Sequence, residues 1–228
     1  MSSDIRNKTI LQAAEIAVFA VMFCVGCYDL GIEPSVPTPT IETFVDIRDG
    51  KTYRKVQIGT QTWMAENLKY EADNSICYYD GWSHVDPVQN CREYGRLYDW
   101  NTAMNGESGS NTKPSGVEGV CPVGWHLPSD AEWTVLIDYV GKNAGTKLKS
   151  REFHGNSETR TPDGTDIYGF SALSIGRYSG IDRWWTASDL ESDNEMAWVR
   201  GIANSSVGVA HGLAEKHGNF LSVRCVHD

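Results

Sequence analysis

Residues Cys121 to Trp133 constrain this chain more than any other stretch. They place a cysteine, a Pro-Val-Gly-Trp turn, a helix start and two tryptophans in direct succession. Ser129 can accept a hydrogen bond from the backbone N–H of Glu132, and Glu132 can reach back to the N–H of Ser129, a reciprocal cap. Pro128 holds the residue before it out of helical dihedrals, so the chain approaches the cap extended. Beyond it Trp133, Leu136, Ile137 and Val140 recur at helical spacing, and Gly141 stands where helices commonly stop. The spacing predicts a short amphipathic helix between Ser129 and Gly141.

The charge balance narrows the function classes. Against 20 Lys and Arg stand 30 Asp and Glu, a net charge of −10, with no basic cluster to offset it locally. A surface of that sign repels phosphate backbones, so no nucleic-acid partner is expected. With 22 glycines and 8 tryptophans in 228 residues, many turns and an aromatic-rich interior are expected rather than long helices.

The N-terminus reads as an export signal. Arg6 and Lys8 precede an apolar run from Ile16 to Gly26, too short for a spanning helix of roughly 20 residues. The run ends in Cys24-Val25-Gly26-Cys27, which resembles the lipobox of bacterial lipoproteins, with Cys24 where an aliphatic residue is usual. Residues 1–27 are therefore read as a lipoprotein signal peptide with Cys27 as the lipidation site, a plain secretory signal being the alternative. Residues 28–43 interleave Pro34, Pro37 and Pro39 with serine and threonine, a composition that extends and builds no core, and they read as a tether. About 200 residues remain beyond the leader, enough for one sizeable core.

Four cysteines lie beyond the tether: Cys77, Cys91, Cys121 and Cys225. An even number in an exported domain implies disulfides, and four allow three pairings. Cys77 and Cys91 flank a short polar loop suited to a local bridge, which leaves Cys121 to pair with Cys225. Strand segments are expected at 44–48 and 53–58 around the Asp49-Gly50 hairpin signal, and Gly59 to Met64 reads as another turn and strand ending near Asn67-Leu68. Further strand material is expected at 164–174, 184–188 and 197–200, and a terminal strand over 219–226. Residues 94–104 read as a short helix or an irregular aromatic segment.

Several motifs in order resemble the Fibrobacter succinogenes major paralogous domain over residues 44–228: Asp49 to Tyr53, Gln61 to Leu68, Gly95 to Trp100, Cys121 to Trp133, Gly164 to Leu173, Trp184 to Ser188 and Ser222 to Cys225. More distantly, His126 to Trp133 is similar to a segment of the sulfatase-modifying-factor family. The resemblance implies an α+β, C-type-lectin-like fold with a small twisted antiparallel sheet, short helices, long loops and two disulfides. It also implies a protein of the bacterial cell envelope, an outer-membrane lipoprotein or a secreted protein, linked to adhesion. The redox cysteine chemistry of the sulfatase-modifying oxidases does not carry over, because Cys225 is assigned to Cys121.

No catalysis is expected: none of the six histidines lies in a nucleophile context such as Gly-x-Ser-x-Gly. The expected function is non-catalytic recognition of a polysaccharide or a surface protein, with a structural or assembly role in an envelope complex as the alternative. Aromatic faces stack on the C–H faces of sugars, which singles out Tyr78, Tyr79 and Trp82 in the Cys77–Cys91 loop, followed by Tyr178, Arg183 and Trp184. Trp63, Trp125, Trp133 and one of Trp184 or Trp185 are expected to fill the core. No cofactor is expected, although Asp189, Asp193 and Glu195 offer hard oxygen ligands that suit calcium.

Overall fold

The Asp49-Gly50 signal becomes a hairpin, with Gly50 at φ 71° in the turn, a conformation that favours glycine. The computed structural model describes residues 38–79, 86–152, 162–174 and 180–228. The leader, Cys27 and most of the tether lie outside these residues, as do Trp82 and Tyr178. In chain order the elements are β1 (Ile41–Val45), β2 (Thr52–Ile58), β3 (Gln61–Met64), α1 (Pro87–Tyr94), β4 (Leu97–Tyr98), α2 (Trp100–Met104) and β5 (Trp125–His126). There follow α3 (Asp130–Val140), α4 (Ala144–Leu148), β6 (Ile181–Leu190), β7 (Asp193–Ala203), β8 (Val209–Glu215), β9 (Leu221–Ser222) and β10 (Val226–His227).

The fold is α+β, but it holds two sheets where one small sheet was expected. The first runs β1-β2-β3-β10-β5 and the second β4-β9-β6-β7-β8. Within the two sheets all described strand pairings are antiparallel except that of β6 with β9. The terminal segment is not one strand. Leu221 and Ser222 pair in the second sheet, Val226 and His227 pair in the first, and residues 223–225 cross between them. The crossing is anchored where the Leu68 N–H donates to Val223 O at 2.9 Å and the Met64 N–H to Cys225 O at 3.0 Å.

Both disulfides form as the spacing predicts, Cys77–Cys91 and Cys121–Cys225. The second joins the loop before α3 to the crossing segment and closes a separation of 104 residues. The α3 cap is also as expected. Ser129 Oγ accepts from the Glu132 N–H at 3.1 Å, and Glu132 Oε2 accepts from the Ser129 N–H at 3.0 Å. Trp133, Leu136 and Val140 are buried on its inner face.

Two apolar clusters carry the packing. One gathers Tyr53, Tyr98, Trp100, Trp125 and Trp185; the other gathers Trp63, Trp133, Phe170 and Trp184. In the second cluster Trp133 packs 4.8 Å from Trp63 and 5.4 Å from Trp184, ring centre to ring centre. Burying such side chains stabilises by roughly 2–3 kcal/mol each, so these rings dominate the interior. The segment at 164–174 is irregular, paired only through an isolated bridge from Ala172 to Lys149. Asp166, Gly169 and Ser171 take positive φ there, which no strand accommodates. Among the described residues no helix is long and apolar enough to cross a membrane.

Candidate functional site

Asn67, at the end of the Gln61–Leu68 motif, is buried and holds together groups distant in sequence. Its Oδ1 accepts from Arg224 Nε at 3.0 Å, Arg224 Nη2 at 2.6 Å and Trp184 Nε1 at 2.9 Å. Its Nδ2 donates to Tyr94 O at 2.9 Å and lies 3.3 Å from Ser222 Oγ and 3.4 Å from Asp182 Oδ2. Ser222 Oγ donates to Asp182 Oδ1 at 3.1 Å. A buried cation and a buried carboxyl are thereby linked through one amide, with Arg224 also stacked 4.3 Å over Phe170. Burial pushes the Asp182 carboxyl up to about 7, against the Arg224 charge and the hydrogen bonds from Asn67 and Ser222. Burial also pulls the Arg224 guanidinium down to about 10.

Asp182 and Ser222 form the inner boundary of a cleft of about 260 Å³. Its walls are Leu97 from β4, Leu221 from β9, Ile181 and Arg183 from β6, and the rings of Tyr78 and Phe220. The β4–β9–β6 pairing puts these residues side by side, with Ser222 registered against both Leu97 and Trp184. Tyr78 is brought to the cleft by three local devices. Ile76 bridges Leu97, Cys77 is tied to Cys91, and Asn90 Nδ2 donates to Tyr78 O at 2.8 Å. Arg96 stiffens the approach, donating to Ser75 Oγ at 2.8 Å and Ser75 O at 3.0 Å. A 260 Å³ space lies just below the roughly 300–1,000 Å³ of drug-sized pockets and fits a single ring-sized group.

Of the residues expected to face a ligand, the structure brings Tyr78 and Arg183 together in this cleft. Tyr79 is 60% exposed beside them in sequence. Trp184 is a correction. It is fully buried with Trp185, its N–H given to Asn67, so neither ring is offered to a sugar. Trp82 and Tyr178 fall outside the described residues. Asp182, Ser222, Phe220 and Asn67 were not singled out from the sequence. Asn67 and Ser222 fall within the family-like motifs, which is the signal that pointed toward them.

The acidic turn does not converge on a metal. Asp189 pairs with Lys216 at 3.5 Å, Asp193 accepts from the Glu195 N–H at 2.9 Å, and Glu195 lies 3.6 Å from His217. Among the described residues no group of three or more His, Cys, Asp or Glu side chains is placed to hold a metal ion. His126 is held between two carboxylates, Glu132 at 2.8 Å and Asp228 at 2.6 Å, and is 2% exposed. Burial disfavours its charge, but the two carboxylates outweigh it and raise its pKa. This buried arrangement locks the capped helix to the last residues.

Two other clefts compete for a ligand. One of about 610 Å³ is lined by Tyr70, Asp73, Asn101 and Asn105. One face of its tyrosine ring is covered by the Arg48 guanidinium, 3.9 Å from the ring centre. The other, about 370 Å³, is walled by Tyr139 and Tyr168 near Pro39 and carries no charged side chain.

Residues 56–227 match the family described as the Fibrobacter succinogenes major domain. No curated protein and no solved structure matches the chain.

Proposed function

The chain belongs to the Fibrobacter succinogenes major domain family, and from that premise we propose that it is an exported, lipid-anchored surface protein whose folded domain recognises a polysaccharide without catalysis. The observation that carries the reading is the cleft that Tyr78, Phe220 and Arg183 line together. Aromatic walls with a few fixed polar groups are what sugar rings require: C–H faces meet the rings, and hydroxyls meet the polar atoms. The order of leader, Cys27, tether and domain supports an anchor at the cell envelope, and the two disulfides fit an oxidising compartment. We read the fold as lectin-like, because the first and last strands lie in one sheet while a disulfide-bound loop helps wall the cleft.

The test is a pull-down of the full protein on a panel of polysaccharides, comparing wild type with Tyr78→Ala and Phe220→Ala. Wild-type retention that either variant reduces by about tenfold supports the reading, a loss of about 1.4 kcal/mol. Retention of no polysaccharide by the wild type would sink it. Anchoring is tested separately by Cys27→Ala, which should move the protein from the membrane fraction to the soluble one.

A further inference from the structure

Resting on the polysaccharide reading, we infer that the cleft is built for an acidic sugar, with Arg183 gripping the carboxylate of a uronate residue while Tyr78 and Phe220 hold its ring. Among the described residues that line the cleft, Arg183 is the single cation, and it is exposed on β6. Among the described residues no carboxylate is salt-bridged to its guanidinium. In a chain of net charge −10, an arginine with no carboxylate partner among the described residues, in a cleft shared with Tyr78 and Phe220, stands apart from its surroundings. Most other arginines with described side chains are engaged: Arg48 with Asp46, Arg54 with Glu66, Arg96 with Glu71, Arg200 with Asp130, and Arg224 with Asn67.

The geometry suits a carboxylate. A guanidinium offers two parallel N–H donors that match a planar carboxylate, a bond about twice as strong as one between neutral groups. The one carboxyl at the cleft, Asp182, does not compete for Arg183. It is 1% exposed and already accepts from Ser222 Oγ and Asn67 Nδ2, and burial holds its pKa near 7. The overall negative charge does not forbid an anionic ligand either. At physiological salt the screening length is about 8 Å, so groups at the cleft outweigh the distant surface.

The experiment titrates the full protein with polygalacturonate, with dextran sulfate and with a neutral β-glucan, for wild type, Arg183→Gln and Arg183→Lys. The expected result is tightest binding of polygalacturonate by the wild type, about tenfold weaker binding by Arg183→Gln, and an intermediate loss for Arg183→Lys, whose point charge cannot make the paired bond. Equal affinity for polygalacturonate and β-glucan, or no change in Arg183→Gln, overturns the acidic-sugar inference and leaves the polysaccharide reading standing. Preference for dextran sulfate overturns the carboxylate assignment. Binding of no glycan by the wild type removes both. Because Arg183 is exposed, its variants keep the fold, which matching thermal melts verify.

Discussion

At the residue scale, Asn67 is the most consequential side chain. It stands between Arg224 and Asp182, both fully buried, and it satisfies Trp184 as well. Asn67→Ala would leave the guanidinium and the carboxyl without that bridge. Breaking such a buried arrangement costs about 3–5 kcal/mol, far above the near-zero value of an exposed pair. Urea denaturation should show a loss of that size, and a loss below about 1 kcal/mol would contradict the role. Asp182 gives a second residue-scale prediction. Its folded pKa, about 7, lies above the unfolded value of 3.8, so its contribution to stability is complete below 3.8 and is lost as pH rises through about 7. Asp182→Asn keeps the shape and removes the titration. The melting temperature of the variant should therefore gain on wild type between about pH 4 and pH 7, and parallel curves would refute the assignment.

At the element scale, the two disulfides have different consequences. Cys121–Cys225 ties the α3 entrance to the segment that crosses between the sheets. Removing it with Cys121→Ala and Cys225→Ala should cost on the order of 4 kcal/mol in the chain-entropy model, close to the whole stability of a small domain. Cys77–Cys91 closes a separation of 14 residues and fixes the loop that carries Tyr78, so its removal should cost about 3 kcal/mol and also release one wall of the cleft. Polysaccharide binding should then fall in a Cys77→Ala, Cys91→Ala variant that is still folded by circular dichroism. Undiminished binding in that variant would detach the loop from the site.

The sequence made local elements readable and long-range ones opaque. The α3 cap depends on residues three positions apart, Ser129 and Glu132, and the first hairpin on Asp49-Gly50, so both could be read directly. The boundary of that hairpin could not, since Asp46 turns inward to accept from the Arg48 N–H at 3.0 Å and ends β1 at Val45. Helix α1 was missed although Asp86-Pro87 is a start signal, with Asp86 Oδ1 accepting from the Val88 N–H at 3.0 Å. The alternation of 219–226 reads as one strand because periodicity carries no information on which partner each residue meets. Residue type alone leaves open which of Trp184 and Trp185 is interior; both are buried, Trp184 with its N–H given to Asn67, 117 positions away. The cleft was half legible, through Tyr78 and Arg183, because its floor is assembled from β6 and β9.

At the scale of the whole molecule, the titrating groups fall into two opposed sets. Burial raises the carboxyls of Asp46 and Glu66, but hydrogen bonds from Arg48, and from Lys69 and Arg54, outweigh it and hold both below their usual values of 3.8 and 4.5. Their stabilisation is present above those values and is lost as pH falls through the lowered ones. His126, raised above 6.5, and Asp182 act in the opposite direction and weaken the fold as pH rises. The loss at Asp182 begins above 3.8 and the gains at Asp46 and Glu66 end by 4.5, so the melting temperature should peak near pH 4 and fall toward pH 7, and a maximum at alkaline pH would contradict these assignments.

Tyr78, Phe220 and Arg183 meet at the cleft beside the β4–β9–β6 pairing, and there the proposed ligand would bind. The most direct measurement is an NMR titration of the isotope-labelled protein with an oligogalacturonate, following the ring and guanidinium signals. Perturbations are expected to centre on Tyr78, Arg183 and Phe220 and to fade with distance from that cleft. Perturbations centred instead on Tyr70 or Tyr139, or none at saturating sugar, would contradict it.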